Sequence, residues 1–472
     1  MTTTIKNDRR TIFGWAMYDW ANSAYITTAG AIVAAFFAGT IVPEVVPELV
    51  DEKTGELVRR YWGMSGETLW AAVISIGALV LFLGMPVLGA VADYTSAKRR
   101  FLLFFAMVGA VFTIAVPFAP DGAVPLFLIL FLFSQVGFVA ANVFYDGFLL
   151  NITTDDTIDR VSSKGFAFGY IGGGLYVLLA LVLILLSGDD SVTGLSETGA
   201  ARIAIAGAGI WWIGFTIFAI RRLPEIGEAE PIPEDMARMP SWVAFTRIGF
   251  GRTIDTGKKL LQFKHVVLFV VAYMFYNDGT QTVIGVSGAY AKDTLNLETE
   301  VIIVTFLIVQ FVAFFGALFF GWLADKISAK RAIIVSLFIW MGIAVAGYLL
   351  PSETVPEATK GTATLLYLLA VVIGFVLGGV QALSRSLFGS MIPEDASAEF
   401  YGFFSVFSKF SAIWGPLVFA IVSGVTGSGR PAILSIIFFF LVGTILLFRV
   451  DVEAARDSRD RWHFEGARTI VE

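Results

Sequence analysis

Apolar runs of about twenty residues, separated by short polar segments, fill most of the chain, and a helix needs roughly 20 residues to cross about 30 Å of hydrocarbon. Runs of that length predict spans over Gly14–Thr40, Thr68–Ala92, Phe101–Phe118, Val124–Ile152, Gly165–Ser187 and Ala201–Ile220. A second set covers Val266–Ala291, Val301–Ala324, Ala332–Leu350, Thr362–Ile392, Phe400–Val422 and Pro431–Phe448. Between the sets, Arg221–Lys264 is polar and holds four Pro, with an amphipathic helix expected around Trp242–Leu261. The pattern predicts an all-α polytopic membrane protein of about twelve transmembrane helices. They form two pseudo-symmetric six-helix bundles, residues 1–221 and 265–472 with a short tail, joined by a linker over 222–264.

Composition agrees. The 472 residues are 57% apolar and only 15% charged, with a mean hydropathy of +0.77, whereas a soluble domain is about 25% charged. There is no Cys, which excludes a disulfide, a thiolate nucleophile and a Cys-held metal. The two His, His265 and His463, have no partner at metal-ligand spacing. No metal or cofactor is expected, and the absence of a nucleophile–base pair or phosphate loop argues against an enzyme. The N-terminal MTTTIKNDRR is too polar for a signal peptide. Lys6, Arg9, Arg10, Lys98 to Arg100, Arg221, Arg222, Lys326, Lys330 and Arg331 fall in loops on one side, while the opposite loops hold Glu44, Glu48, Asp51, Asp189, Glu353 and Glu357. Positive loops stay inside, so both termini are expected in the cytoplasm. Basic residues spread along loops in this way set topology and give no nucleic-acid surface.

One segment is duplicated. After the second span the chain reads GAVADYTSAKRR, Gly89–Arg100; after the eighth it reads GWLADKISAKR, Gly321–Arg331. Gly, Ala-Asp and Ser-Ala-Lys-Arg recur in identical spacing, and Tyr18-Asp19-Trp20 is echoed more weakly by Tyr276-Asn277-Asp278. Two six-span halves of the same orientation are what a parallel repeat requires.

The duplicated loop resembles the one that major facilitator transporters carry between their second and third spans. A narrower resemblance rests on Tyr18-Asp19-Trp20-Ala21-Asn22-Ser23-Ala24-Tyr25, on Tyr145-Asp146-Gly147-Phe148-Leu149-Leu150, and on Gly378-Gly379-Val380-Gln381-Ala382-Leu383-Ser384-Arg385-Ser386. These segments are similar to those of the vacuolar autophagy-related amino-acid effluxer family and its prokaryotic relatives. The resemblance implies secondary transport by alternating access, with amino acids exported. It also implies that Gly89, Asp93, Lys98, Arg99, Gly321, Asp325, Lys330 and Arg331 form conformational-switch loops. There the aspartates cap a neighbouring helix and the basic residues bind carboxylates, and a carboxylate does gain at a helix N-terminus. The Pro usual in the family's fifth-span antiporter motif is absent here.

Polar residues inside the spans sort by helical geometry. Tyr18, Asp19, Asn22 and Tyr25 share an arc of roughly 120°. Gln135, Asn142 and Asp146 align on the fourth span. Tyr273, Tyr276, Asn277, Thr280 and Gln281 share a face of the seventh, with Asp278 at its edge, and Gln381, Ser384 and Arg385 share one on the tenth. Such stripes must face protein or a water-filled cavity. Spans one, four, seven and ten line the cavity in the family resembled, so these residues are candidates for a substrate cavity. The tyrosines could bound the pocket or pack between the halves. Asp146 and Arg385, with Lys409 following, are expected to gate the cytoplasmic side as an ion pair between the halves, and a charge-swapped pair is expected to recover activity. Asp278 is the candidate proton carrier, with Asp19 as its rival. Gly165, Gly169 and Gly173 read as a close helix-packing seam rather than a nucleotide loop.

The sequence thus predicts a monomeric transporter in a prokaryotic inner membrane, exporting small amino acids with protons. Sugars, nucleosides and drug-like amphiphiles are the rival substrates, and a non-transporting receptor on the same fold is the rival class.

Overall fold

The computed structural model describes residues 6–42, 60–61, 64–65, 69, 76–77, 84–188, 193–226, 233, 236, 238–260, 263–295, 297–351, 359–411 and 413–461. Most of the stretch between the first and second expected spans, and much of the second span, lie outside those residues.

Helix α1 (Arg9–Thr28) starts where the Asp8 carboxylate accepts from the Thr11 N–H at 2.8 Å, an N-cap that satisfies a free helical donor. It runs on through two π-helical turns, Ala29–Val33 and Phe37–Ile41. The described end of the second span is α2 (84–94). Then follow α3 (Lys98–Ala115), α4 (Val124–Ile152), α5 (Ile158–Leu185) and α6 (Glu197–Ile220). The linker forms α7 (Ser241–Leu260). The second half holds α8 (Lys264–Ala289), α9 (Thr299–Ile327), α10 (Ala329–Leu349) and α11 (Thr359–Ser390). It ends with α12 (Ser397–Ser411), α13 (Trp414–Thr426), α14 (Gly429–Ser435), α15 (Ile437–Phe448) and a tail helix α16 (Val452–Asp460). The strands described are a two-residue pair, Arg60–Tyr61 against Met64–Ser65.

Among the described residues nine helices are long and apolar enough to cross a membrane. The other three expected spans fall short for separate reasons. The second lies largely outside the described residues. The seventh, α8, carries the polar stripe that lowers its hydropathy. The eleventh, expected as one run over Phe400–Val422, is divided into α12 and α13. Pro416 explains that division, because its ring and missing N–H interrupt a helix about one turn upstream. The freed Gly415 N–H is taken up by Asp278 on α8, both of whose carboxylate oxygens accept it at 2.9 Å.

In the first half α1 packs on α5 and α6, and α3 on α4 and α6; in the second, α9 packs on α11, and α8 on α12 and α15. The halves meet where α5 packs on α9 and α11, and α4 on α12. The glycines of α5 make the seam with α1. A Cβ at Gly165 would lie 2.7 Å from the Trp15 ring, one at Gly169 2.8 Å from Ser23 Oγ, and one at Gly173 2.8 Å from Thr27 Cγ2. Overpacking of this kind costs about 1–3 kcal/mol. Gly169→Val is therefore expected to lower the unfolding temperature in detergent, followed by tryptophan fluorescence. Gly214→Ala, where a Cβ meets nothing within 4 Å, is expected to leave it unchanged.

Candidate functional site

Arg385 on α11 enters the first half and is only 5% exposed. Its Nη1 donates to Asp146 Oδ1 on α4 at 3.0 Å and lies 3.8 Å from Asp19 Oδ2 on α1. Its Nε donates to Ser162 Oγ at 3.0 Å and Nη2 to the Ser162 carbonyl at 2.8 Å, so α5 is held as well. Ser162 Oγ in turn donates to the Ala382 carbonyl at 2.7 Å. Three ring faces surround the guanidinium: Phe166 at 4.2 Å, Trp15 at 4.9 Å and Tyr145 at 5.3 Å. Trp15 stacks on Tyr145 at 4.4 Å and donates to its carbonyl, and the Tyr145 hydroxyl donates to Asp19 at 3.1 Å. A cation over a desolvated ring gains up to about 2 kcal/mol, which offsets part of the cost of burying it.

The sequence-derived pairing of Asp146 with Arg385 is thus present, but as one edge of a cluster. Two carboxylates face one guanidinium, so one carboxylate is surplus to the pair, and Asp19 and Asp146 keep side-chain exposures of 14% and 23%. The Lys409 side chain lies outside the described residues.

The polar stripes pair within each half. Asn22 donates to Asn142 at 2.6 Å. In the second half Tyr273 bonds Ser408 at 3.0 Å, Tyr276 bonds Ser384 at 2.7 Å, and Asn277 donates to Ser411 at 2.7 Å while accepting from Gln381 at 3.3 Å. Gln135 faces the second span at Gly77, and Gln281 is half-buried. Tyr18 is fully buried against Tyr145. Tyr25 departs from the pocket expectation: it lies against Phe138 and Trp212 inside the first half, with ring centroids at 4.9 and 5.4 Å. Ring-on-ring burial there outweighs anything its hydroxyl would gain in a cavity.

The end of the bundle that carries the duplicated loops, called here the basic end, is where the two halves are tied. Both repeats place their serine at positive φ, Ser96 at 52° and Ser328 at 81°. Both glycines are close-approach sites on the opposite half: a Cβ at Gly89 would lie 2.8 Å from Glu399 Cα, and one at Gly321 2.6 Å from Ser163 Cβ. The aspartates then diverge. Asp93 Oδ2 accepts the Glu399 N–H at 3.0 Å, at the start of α12, which is the capping expected. Asp325 instead pairs with Arg160 in the first turn of α5. The lysines diverge too. Lys98 is buried with Asp93 at 2.8 Å, Ser397 at 2.6 Å and Asn151 at 3.0 Å. Lys330 donates to the carbonyls of Phe448 and Val450, capping the end of α15 rather than meeting a carboxylate. Arg99 approaches Glu225 at 3.8 Å, and Arg331 is exposed. Further ties are Lys6–Glu394 at 2.5 Å, Ser386–Asp159 at 2.5 Å and Arg459–Asp155 at 3.1 Å.

Ser162, Trp15 and Phe166 were not singled out by sequence. Trp15 sits four residues before Asp19 on the polar face of α1, a signal that was there to be read. Ser162 and Phe166 flank a glycine-spaced helix and give none.

A bundle of this topology, with a buried inter-half charge cluster and loops repeated at one end, is that of a major facilitator transporter. It superposes on FucP in its outward conformation with a TM-score of 0.65 at 13% identity, over 94% of this chain and all of that one. On the human organic anion transporter MFSD10 it does so with 0.66 at 15%, over the same shares. The family described as "Vacuole effluxer Atg22 like" matches residues 7–460, and the chain belongs to that family. It is 30% identical to the MFS-type transporter YxiO of Bacillus subtilis, over 94% of this chain and 95% of that protein. It is 28% identical to autophagy-related protein 22-1 of Aspergillus niger, over 64% of this chain but 48% of that protein, so it spans about half the length of such fungal relatives. Family and fold are those of membrane-embedded transporters of small molecules, not of enzymes.

The cluster argues against the expected rescue by charge exchange. An aspartate at 385 would face Asp19, the Ser162 carbonyl and three ring faces, all unfavourable to an anion. Breaking a buried pair costs about 3–5 kcal/mol. The double variant Asp146→Arg/Arg385→Asp is therefore expected to close the basic end no better than Arg385→Gln. A cysteine introduced at the buried Ser163 reports this: it should react readily with an impermeant thiol reagent in both variants, and protection in the double variant alone would restore the simple pair.

Proposed function

We propose that the chain is a secondary transporter that exports small amino acids by alternating access, coupled to protons. The observation that carries this reading is the cluster of Asp19, Asp146 and Arg385. It offers both signs of charge beside amides and hydroxyls, which complements a zwitterion, and its surplus carboxylate suits a proton or an ammonium group. The family description as an effluxer supports outward movement. The loop charges favour a cytoplasmic basic end and cytoplasmic termini, in the plasma membrane of a prokaryotic cell, with the monomer as working unit. Under that orientation the inter-half ties close the cytoplasmic side.

Of the two carrier candidates, Asp19 fits better. Asp278 is engaged by the Gly415 N–H, and its removal exposes a helix break inside the membrane. Asp19 has its Tyr145 bond and the more distant Arg385, and it borders the half-buried Asp146.

Purified protein in liposomes, given a panel of labelled amino acids with and without a pH gradient, tests the reading. Saturable uptake enhanced by the gradient is expected. Asp19→Asn should abolish the enhancement yet keep counterflow exchange, whereas Asp278→Asn should retain gradient-driven transport with lower thermal stability. Folded protein that moves no amino acid in either direction contradicts the substrate class, and Asp19→Asn with undiminished gradient response contradicts the carrier.

A further inference from the structure

In the sequence Glu399 looks ordinary, an acid in the first turn of a helix where the dipole favours it. Its surroundings are not ordinary. The residue is 0% exposed, and neither carboxylate oxygen makes a hydrogen bond of normal geometry, the Thr256 hydroxyl being the one donor turned toward it. It stands one residue ahead of the apolar run that begins at Phe400, in the joint between the halves at the basic end. From α2 the Asp93 carboxylate faces it, bound to the Glu399 backbone N–H at 3.0 Å. From α7 it is faced by Thr256, Arg252 and Asp255. The Arg252 guanidinium lies 5.4 Å from the centre of the Tyr94 ring, and Lys98 on α3 is matched to Asp93 at 2.8 Å. Acids from opposite halves therefore meet where water is shut out, and the lysine neutralises the one from the first half.

A buried carboxylate so poorly supplied with donors is a cost that the structure must avoid, by pairing it or by making it neutral. Here the closed joint is what removes its water. Separating α2 and α7 from α12 would hydrate it.

We propose that Glu399 takes up a proton when the basic end closes and releases it to water when that end opens, making it a proton site tied to the conformational change and separate from Asp19. This rests on the reading that the basic end opens during transport. The sign is definite. The closed form binds one proton more than the open form, so rising pH favours opening, by up to tenfold per pH unit. The effect runs from the ordinary glutamate range, about 4.3, up to the range of buried glutamates, about 8–9. The carboxylates that tie the same joint act oppositely, since protonating them loosens it: Asp155, Asp325 and Glu394 in ion pairs and Asp159 through Ser386.

The chain has no cysteine, so a donor–acceptor dye pair can be placed at Asp156→Cys in the first half and Lys326→Cys in the second, both exposed. Energy transfer in nanodiscs is then followed between about pH 6 and 8. The expected result is an open-to-closed ratio that rises by up to about a hundredfold across those two units. In Glu399→Gln the ratio should stay low and flat. Glu399→Met, neutral and of similar volume, gives the same answer should the amide fold poorly. Variants that follow the parent curve overturn the proton site while leaving transport untouched. A parent that stays closed at every pH, even with transported substrate, overturns the site together with the alternating-access reading on which it rests.

Discussion

The structure depends on a guanidinium from one half being held inside the other. Arg385 belongs to α11, yet its bonds are to α1, α4 and α5, and the rings that cover it are Trp15, Tyr145 and Phe166. A charge so placed is tolerated only while its partners remain, because taking it out of water costs several kcal/mol. The first half thus supplies an environment that the second half cannot replace, and the halves cannot part without rehydrating Arg385 and both aspartates. The same three charges are the ones best suited to sense a polar solute. In the transport cycle proposed above, a substrate competing for Asp19 or Asp146 would act on the closure itself, turning a binding event into a bias between conformations.

Around that centre the repeated loops provide a second tier of ties, and their divergence is informative. Identical residues at identical spacing, with the serine at positive φ in both, end in different chemistry. Asp93 caps α12 while Asp325 pairs with Arg160, and Lys98 is buried with Asp93 while Lys330 caps the end of α15. Repetition fixes where each loop approaches the other half, through Gly89 and Gly321. What it meets there is decided by α12 in one case and by α5 in the other.

Much of this was legible in the sequence. Span length and the duplicated loop pointed to the bundle, and the polar stripes picked out Asp19, Asp146 and Arg385, which the fold brings together. What was missed has physical reasons. Hydropathy cannot see that Pro416 divides the eleventh span, since both pieces are apolar, and so Asp278 was read as a carrier when it also satisfies the broken helix. Periodicity places Tyr25 on the same arc as Asp19 but cannot weigh the pull of Phe138 and Trp212. Ser162 meets Arg385 with its carbonyl as well as its hydroxyl, and a lone serine in a span carries no periodic signal. Glu399 carries no pattern at all, because its character comes from residues 306 positions away.

The most direct test of the central dependence is a distance across the basic end. Spin labels at Asp156→Cys and Lys326→Cys, measured by double electron–electron resonance in nanodiscs at about pH 6, where Glu399 favours closure, should give one short, narrow distribution in the parent. With Arg385→Gln the distribution should shift to a longer, broader one, although every loop tie is left intact. If Arg385→Gln keeps the short distance, the repeated loops alone hold the halves together and the buried guanidinium is a passenger.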